Sequence, residues 1–395
     1  MQFHSRIIQV NTLTHKGQYV GIFNQDHIPD LPTCAFLIFQ RDHKGASIST
    51  LKNYAITLVH FLNKCLASPS VRSWENISPD QMKYYLEEDR GRTLKSSSLK
   101  QTISQLKTFF EWVYLNGWLD NKFQYSWKLS HEKSRQLNLY QAQQNSTDPF
   151  NLFEQYISSM EFDFFLGFVP RKRTFERERD SIILKLAYCS GLRRAEIVDP
   201  HNISLKRIKA AIKSSADQGI DGFYLDIIGK GKSGGKVRKI YVPPRLRKEI
   251  DAFIRGPLKR KCPLADLLIC KVVQNKTFPL NKNHATALFN DTLNSLLSIG
   301  DVGRTREWRT HEKQRRFHSL RHSFATNYAS ALREKNEPIK RLQERMGHTH
   351  ESTTHIYIHF EALMAKDFRR ADQYSFDPHK IDKNKAWEEL LDDHD

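Results

Sequence analysis

Long apolar runs are missing from this 395-residue chain. No stretch approaches the ~18 consecutive apolar residues that a membrane-spanning helix needs. The start, MQFHSRIIQV, has no secretory apolar core, so the expectation is a protein of the cytoplasm. Cysteine is also scarce. Cys34, Cys65, Cys189, Cys262 and Cys270 are odd in number, scattered, and never in a CxxC pair, which supports neither a zinc ribbon nor a disulfide framework. Acidic residues are outnumbered, with 44 Asp plus Glu against 62 Lys plus Arg, a formal net charge of +18. Such an excess points to a polyanionic partner, of which nucleic acid is the commonest. Charged residues at 27% together with aromatics at 11% give too much core-forming material for a disordered basic tail.

Hydrophobic periodicity organises the rest. Leu51, Tyr54, Ala55, Leu58, Leu62 and Cys65 form one stripe of an amphipathic helix. Ser78-Pro79-Asp80-Gln81 is a helix start, with Ser as cap and Gln where a capping box places it. Leu99, Ile103, Leu106, Phe110, Val113 and Tyr114 make a further stripe that stops near Asn116-Gly117, with Lys95, Lys100 and Lys107 on its polar side. Residues 36–123 therefore read as an all-helical domain with a basic face. Residues 1–35 form an N-terminal extension that includes the β-like stretch Tyr19–Phe23, and 124–175 read as a linker or insert, although 150–169 carries six Phe and has a packed or helical look. The charge run 171–180, RKRTFERERD, reads as a solvated helix face. A second domain, 176–365, opens with an apolar helix through Ile182, Ile183, Leu186 and Ala187 that ends at Ser190-Gly191. It continues with Phe223–Ile228 and Val237–Val242, alternating stretches joined by a glycine- and lysine-rich turn, a β-hairpin with a basic tip. Helical patterns follow. The expected class is mainly α with a small antiparallel β-hairpin or sheet, an α+β chain, followed by an acidic tail over 366–395.

Three separated segments carry chemistry when taken together. They are SGLRRAE with Arg193 and Glu196, HSLRH with His318 and Arg321, and GHTHESTTHIY, in which Tyr357 follows His348 by nine residues. The lysine-tipped hairpin, IIGKGK, lies between the first two. In this order and spacing the chain resembles the tyrosine recombinase, or phage integrase, family. The resemblance covers about 176–360, and more loosely the helical domain, which matches the family's core-binding domain.

The residue types suit the chemistry that the resemblance implies. Cleaving a DNA phosphodiester with a side-chain oxygen needs a nucleophile, cations for the non-bridging oxygens, and an acid for the leaving 5′-oxygen. Tyr357 supplies the phenolic oxygen, poor at neutral pH with an ordinary pKa of ~10 and therefore in need of help. Arg193 and Arg321 are fork-shaped fixed charges for two phosphate oxygens. The resemblance assigns the acid to Lys230, with Lys232 as its nearest competitor. His318 and His348 suit proton handling or oriented hydrogen bonds, and Glu196 holds Arg193 or its surroundings. The implied reaction is two transesterifications through a 3′-phosphotyrosyl link that conserves bond energy, so neither ATP nor a metal is called for. The implied partners are double-stranded DNA with specific recombination sites, further copies of the chain in a four-protomer synapse, and an accessory DNA-bending or directionality protein. No membrane is involved, and the protein is expected on the nucleoid.

Competing readings are weaker. His348-Thr349-His350 and His355-x-x-x-His359 have metal-compatible spacing, but no carboxylate or Cys completes a set nearby. Gly229–Lys236 imitates a phosphate-binding loop but has Gly235 where the essential Lys belongs. The basic run 303–316, with Arg304, Arg306, Arg309, Arg315 and Arg316, leads straight into His318 and is assigned to DNA backbone contact. A type IB topoisomerase or telomere resolvase shares the same residue set, but the intact SGLR, HxLRH and His-to-Tyr spacing favours the recombinase branch. The complete set argues against a decayed, non-enzymatic scaffold. The extra segments tilt the role toward integration or excision of a mobile element, with chromosome-dimer resolution as the alternative.

Overall fold

The computed structural model describes residues 2–11, 16–67, 74–127, 149–170, 173–229, 235–300, 305–348 and 353–357. It divides into two compact units, Met1–Asn145 and Ser146–Asp395. Among the described residues, no helix is long and apolar enough to cross a membrane.

The first unit begins with an antiparallel hairpin, β1 (His4–Asn11) and β2 (Lys16–Phe23), in register from His4↔Phe23 to Asn11↔Lys16. Four longer segments follow: α1 (Leu31–Asp42), α2 (Ile48–Ala67), α3 (Pro79–Tyr84) and α4 (Ser96–Leu115). Asp30 caps α1 by accepting the Thr33 N–H at 3.2 Å. Ser78 and Gln81 form the reciprocal box that starts α3, at 3.2 and 2.8 Å. The stripes of α2 and α4 close on a core of Phe36, Leu51, Leu58, Phe61, Leu106 and Phe109, with Phe36 and Phe109 edge to face at 5.4 Å. The N-terminal extension belongs to this core. Val20 and Ile22 of β2 are buried in it, and the Phe3 backbone exchanges two hydrogen bonds with the Asn63 amide at 2.6 and 3.1 Å.

In the second unit, α5 (Pro149–Gln155) and α6 (Ser159–Leu166) precede the long α7 (Thr174–Ser190). Residues 149–170 are thus not free linker. Phe162 lies parallel to Tyr188 at 3.9 Å, Phe165 stacks on Trp308 at 4.7 Å, and the Ile157 N–H donates to Ser323 Oγ at 2.9 Å. The charge run is solvated at Arg173 and Arg177 but turns inward at its end. Arg179 and Asp180 are buried, pair with each other at 2.8 Å, and Asp180 also meets His284 Nε2 at 3.0 Å.

The chain continues through α8 (Arg194–Ile197) and α9 (Leu205–Asp217) to β3 (Phe223–Ile228) and β4 (Val237–Val242), which pair antiparallel from Phe223↔Val242 to Ile228↔Val237. Then come α10 (Pro244–Phe253), a second hairpin of β5 (Cys270–Val273) and β6 (Lys276–Pro279), and the helices α11 (His284–Leu297), α12 (Thr305–Thr310), α13 (Phe317–Glu334) and α14 (Lys340–Met346). The second hairpin turns at Gln274-Asn275, both with positive φ (48° and 57°), without the glycine that usually signals such a turn.

The helix α7 packs against α10, α11 and α13 and ends at Gly191 in the left-handed region, φ 63°. A Cβ at Gly191 would lie 2.5 Å from Phe324 Cδ1. Gly191→Ala is therefore expected to lower stability by at least about 1–2 kcal/mol from backbone conformation, with overpacking against Phe324 adding about 1–3 kcal/mol. Denaturant unfolding checks this, and wild-type stability in the variant would contradict it.

Candidate active site

The left-handed turn at Gly191 sends the chain into α8 with Arg193 as its cap. Glu196, three residues on, closes the turn: its Oε2 accepts the Arg193 backbone N–H at 2.7 Å and its Oε1 accepts Arg193 Nη1 at 2.9 Å. The same carboxylate accepts Arg238 Nη2, from β4, at 2.9 Å. Arg238 was not singled out by motif, yet a signal existed. In the alternation of β4 it falls on the buried side with Ile240 and Val242, an unusual place for an Arg.

A third guanidinium arrives from α13. Arg321, almost fully buried, donates Nη1 to the Gly191 carbonyl and Nη2 to the Met346 carbonyl. Met346 O also accepts Arg193 Nη2 at 3.3 Å, and Arg238 Nε donates to Arg345 O at 2.9 Å. The three cations therefore sit on carbonyls at the C-terminal ends of α7 and α14, where the helix dipole is negative. Gly347 ends α14 in the left-handed region, φ 61°, and a Cβ there would lie 2.8 Å from Arg238 Cδ.

Among the described residues, charge in this cluster is unbalanced. Glu196 is the carboxylate that pairs with Arg193 and Arg238, and three guanidiniums converge around it. Burial disfavours the Glu196 carboxylate, but Arg238, the Arg193 backbone N–H and the other cations outweigh that and hold its pKa below the ordinary range. Burial, then Arg193 and Arg238, lower the Arg321 pKa to about 9, so it remains charged at neutral pH. Arg193 keeps 32% of its side chain exposed and is the open face of the cluster.

Histidines and the tyrosine complete the pocket. Tyr357, in the short helix 353–357, is buried at 5% exposure with its hydroxyl 2.8 Å from His322 Nδ1. His348 follows Gly347 directly, its ring nearly parallel to that of Tyr357 at 6.1 Å and its Nδ1 3.0 Å from Thr354 Oγ1. His318 stands one helical turn before His322, the rings edge to face at 4.5 Å. Burial, then Arg321 and Arg193, lower the pKa of His318 and of His348 to about 4, although His318 still presents an open edge to solvent. Burial, then His318 and Arg321, take His322 to about 3. Burial pushes Tyr357 up to about 12 against the pull of Arg321 and Arg193.

The structure thus brings Arg193, Glu196, His318, Arg321, His348 and Tyr357 into one pocket. Lys230, Lys232, Arg304, His350, His359 and the tail 366–395 lie outside the described residues. Gly229, just before Lys230, is at the cluster: a Cβ on it would be 3.2 Å from Glu196 Oε1. In the first unit Lys95, Lys100 and Lys107 are exposed, and Lys107 pairs with Glu111 at 3.7 Å. Arg309 and Arg316 are exposed, and Arg309 Nη2 also donates to Leu297 O at 3.0 Å. The backbone of Arg306 lies in α12. Arg315 corrects the assignment of the whole basic run to DNA. It is buried over the Trp308 ring at 4.5 Å, pairs with Glu161 at 2.7 Å and donates to Tyr156 O at 2.9 Å, so its charge is spent inside the fold.

Two stability effects follow. Glu196→Gln leaves Arg238 buried without its counter-charge, which is expected to cost about 3–5 kcal/mol. The imidazoles of His318, His322 and His348 have native pKa values of about 4, 3 and 4 against an ordinary 6.5. The unfolded chain therefore takes up protons first, and stability should fall as pH drops from about 6.5 to 4. Glu196 adds its own loss as pH falls below the ordinary carboxylate value toward its depressed native one. Denaturant unfolding of Glu196→Gln checks the first and thermal melts from about pH 7 to 3 the second; wild-type stability in the variant or a flat pH profile would contradict them.

With this geometry in hand, comparison with known proteins is specific. Residues 35–117 match the phage integrase N-terminal SAM-like domain, and 170–363 match the phage integrase family. The tyrosine recombinase XerD of Listeria innocua is 25% identical over 338 residues, 84% of this chain and 95% of that protein. The tyrosine recombinase XerC of Vibrio cholerae is 24% identical over 338 residues, covering 84% and 88%. Among solved structures, the XerH site-specific recombinase bound to palindromic difH substrate aligns at TM-score 0.52 and 18% identity over 82% of this chain and 80% of that one. The Tn1549 transposon integrase in complex with circular intermediate DNA aligns at 0.53 and 16% over 82% and 94%, and both share the fold. With matches to both parts of the family's domain pair and its described motif residues gathered in one pocket, the chain belongs to the phage integrase, or tyrosine recombinase, family.

Proposed function

We propose that the protein is a site-specific DNA recombinase that cleaves and rejoins strands through a 3′-phosphotyrosyl link to Tyr357. The observation that carries this reading is the excess, among the described residues, of guanidinium charge at Arg193, Arg238 and Arg321 over the Glu196 carboxylate they surround, with Tyr357 under the electrostatic influence of Arg321 and Arg193. Such a pocket stabilises an anion, and a phosphodiester gains most negative charge in its transition state. Arg193 and Arg321 hold the non-bridging oxygens. Tyr357 attacks phosphorus, the P–O5′ bond breaks, and the leaving oxygen takes a proton from Lys230. A partner strand's 5′-hydroxyl then attacks the link and releases Tyr357. His318 and His348, neutral in the resting site, orient hydrogen bonds or move protons, and Glu196 keeps Arg193 in place.

Binding rests on duplex DNA, with Lys95, Lys100, Lys107, Arg304, Arg306, Arg309 and Arg316 on phosphates. Four protomers form the synapse, and an accessory bending or directionality protein sets the outcome. The protein acts in the cytoplasm on the nucleoid. The N-terminal hairpin and the additional segments favour integration or excision of a mobile element, and chromosome-dimer resolution is the second reading.

On a nicked suicide substrate the wild type is expected to trap a covalent adduct. Tyr357→Phe should bind the same DNA and trap none, and an adduct surviving that change would refute the assignment. Arg321→Ala should slow adduct formation by about 10²–10³-fold. DNA affinity should fall with salt at a log–log slope of about −0.9 per phosphate contacted, and neutralising Arg309 or Lys100 should each reduce that slope by about one unit.

A further inference from the structure

The motif singled out His318 and His348 for proton handling, but the tyrosine hydroxyl meets neither. His348 lies alongside the Tyr357 ring with its Nδ1 turned to Thr354, and His318 contacts the ring of His322. Among the described residues, the side chain in hydrogen-bond contact with Tyr357 Oη is His322, through Nδ1 at 2.8 Å. From this geometry we propose that His322 is a catalytic residue, the base that takes the Tyr357 proton during cleavage and returns it during rejoining. The proposal rests on the recombinase reading above and assigns a step within it.

The step balances. As Tyr357 Oη forms its bond to phosphorus, its proton passes to His322 Nδ1, and the P–O5′ bond breaks toward an oxygen protonated by the general acid. On rejoining, the incoming 5′-hydroxyl bonds to phosphorus and gives its proton to the general acid that lost one during cleavage, while the phenolate leaves phosphorus and recovers the proton from His322. Accepting at Nδ1 requires the neutral ring with its proton on Nε2, and burial together with the Arg321 guanidinium holds His322 in the neutral form. The groups that face it are His318 and Arg321 on its own helix, His348 beyond α14, and Tyr357 itself. The same guanidinium explains when the base becomes effective. With no phosphate present, Arg321 opposes a positive charge on His322. Once negative charge builds on the phosphate, that opposition is offset and the imidazole gains basicity as the phenol must lose its proton. Proton acceptance is thereby coupled to a seated substrate, and the buried phenol with its raised pKa need not ionise beforehand.

The test is single-turnover adduct formation on the nicked suicide substrate with full-length protein. His322→Asn retains an acceptor oxygen but cannot take up a proton. It should bind DNA as the wild type does yet form adduct about 10²–10⁴-fold more slowly, the usual range for a lost general base. His322→Ala should be equally slow, with the rate partly restored by added imidazole and more so by more basic substituted imidazoles. DNA binding and melting temperature confirm that each variant folds. Adduct formation at the wild-type rate by His322→Asn, or failure of imidazole to restore any rate to His322→Ala, would overturn the proposal and leave His322 a packing residue. These results are separable from failure of the recombinase reading, in which the wild type itself traps no adduct or Tyr357→Phe still does.

Discussion

A single carboxylate organises the second unit's pocket. Glu196, 4% exposed, accepts one backbone N–H and two guanidiniums, and through them it joins the end of α7, the start of α8 and strand β4. Arg321 and Arg193 extend the connection to the last carbonyls of α14, the segment that leads into His348 and on to Tyr357. Segments more than 150 residues apart are thereby held by ionic hydrogen bonds in a low-dielectric setting, where each is strong and a missing partner is costly. Among the described residues, the arrangement stops short of neutrality. Glu196 and the helix-end carbonyls compensate part of the guanidinium charge, enough for the fold to tolerate it, and leave the remainder for an anion.

The neutral histidines are a consequence of that excess. Three imidazoles close to several fixed cations cannot easily take a proton, so they rest as hydrogen-bonding partners that can accept one when charge is supplied from outside. A phosphate that brings negative charge into the pocket thus alters the acid–base behaviour of its walls as well as occupying it. A side chain on the same helix face gains or loses a role through differences of a few ångströms: His318 and His322 are one turn apart, and it is His322 that reaches the phenol.

Much of this was legible in the chain. The stripes of α2 and α4, the Ser78–Gln81 box, the stop at Gly191 and the β3–β4 hairpin are local effects of periodicity, capping and φ > 0, which short windows of residues carry. Features that depend on a distant partner were not. Arg315 looks like its neighbours in a basic run until Glu161 and Trp308 are seen around it, and Arg179 and Asp180 sit in a charge run that ordinarily faces water. The β5–β6 hairpin lacks a turn glycine, and the phenylalanines of 150–169 gave no indication of which core they would join.

From sequence alone, residue types at fixed order and spacing determined the family and its chemistry, because a nucleophile, cations and proton carriers are recognisable wherever the fold later brings them. Only the tertiary structure decided which charges remain available to a substrate and which are consumed within the fold. Burial and pairing are set by contacts between remote segments: they made Arg238 a partner of Glu196, withdrew Arg315 from the surface, and put His322 rather than His318 against the Tyr357 hydroxyl.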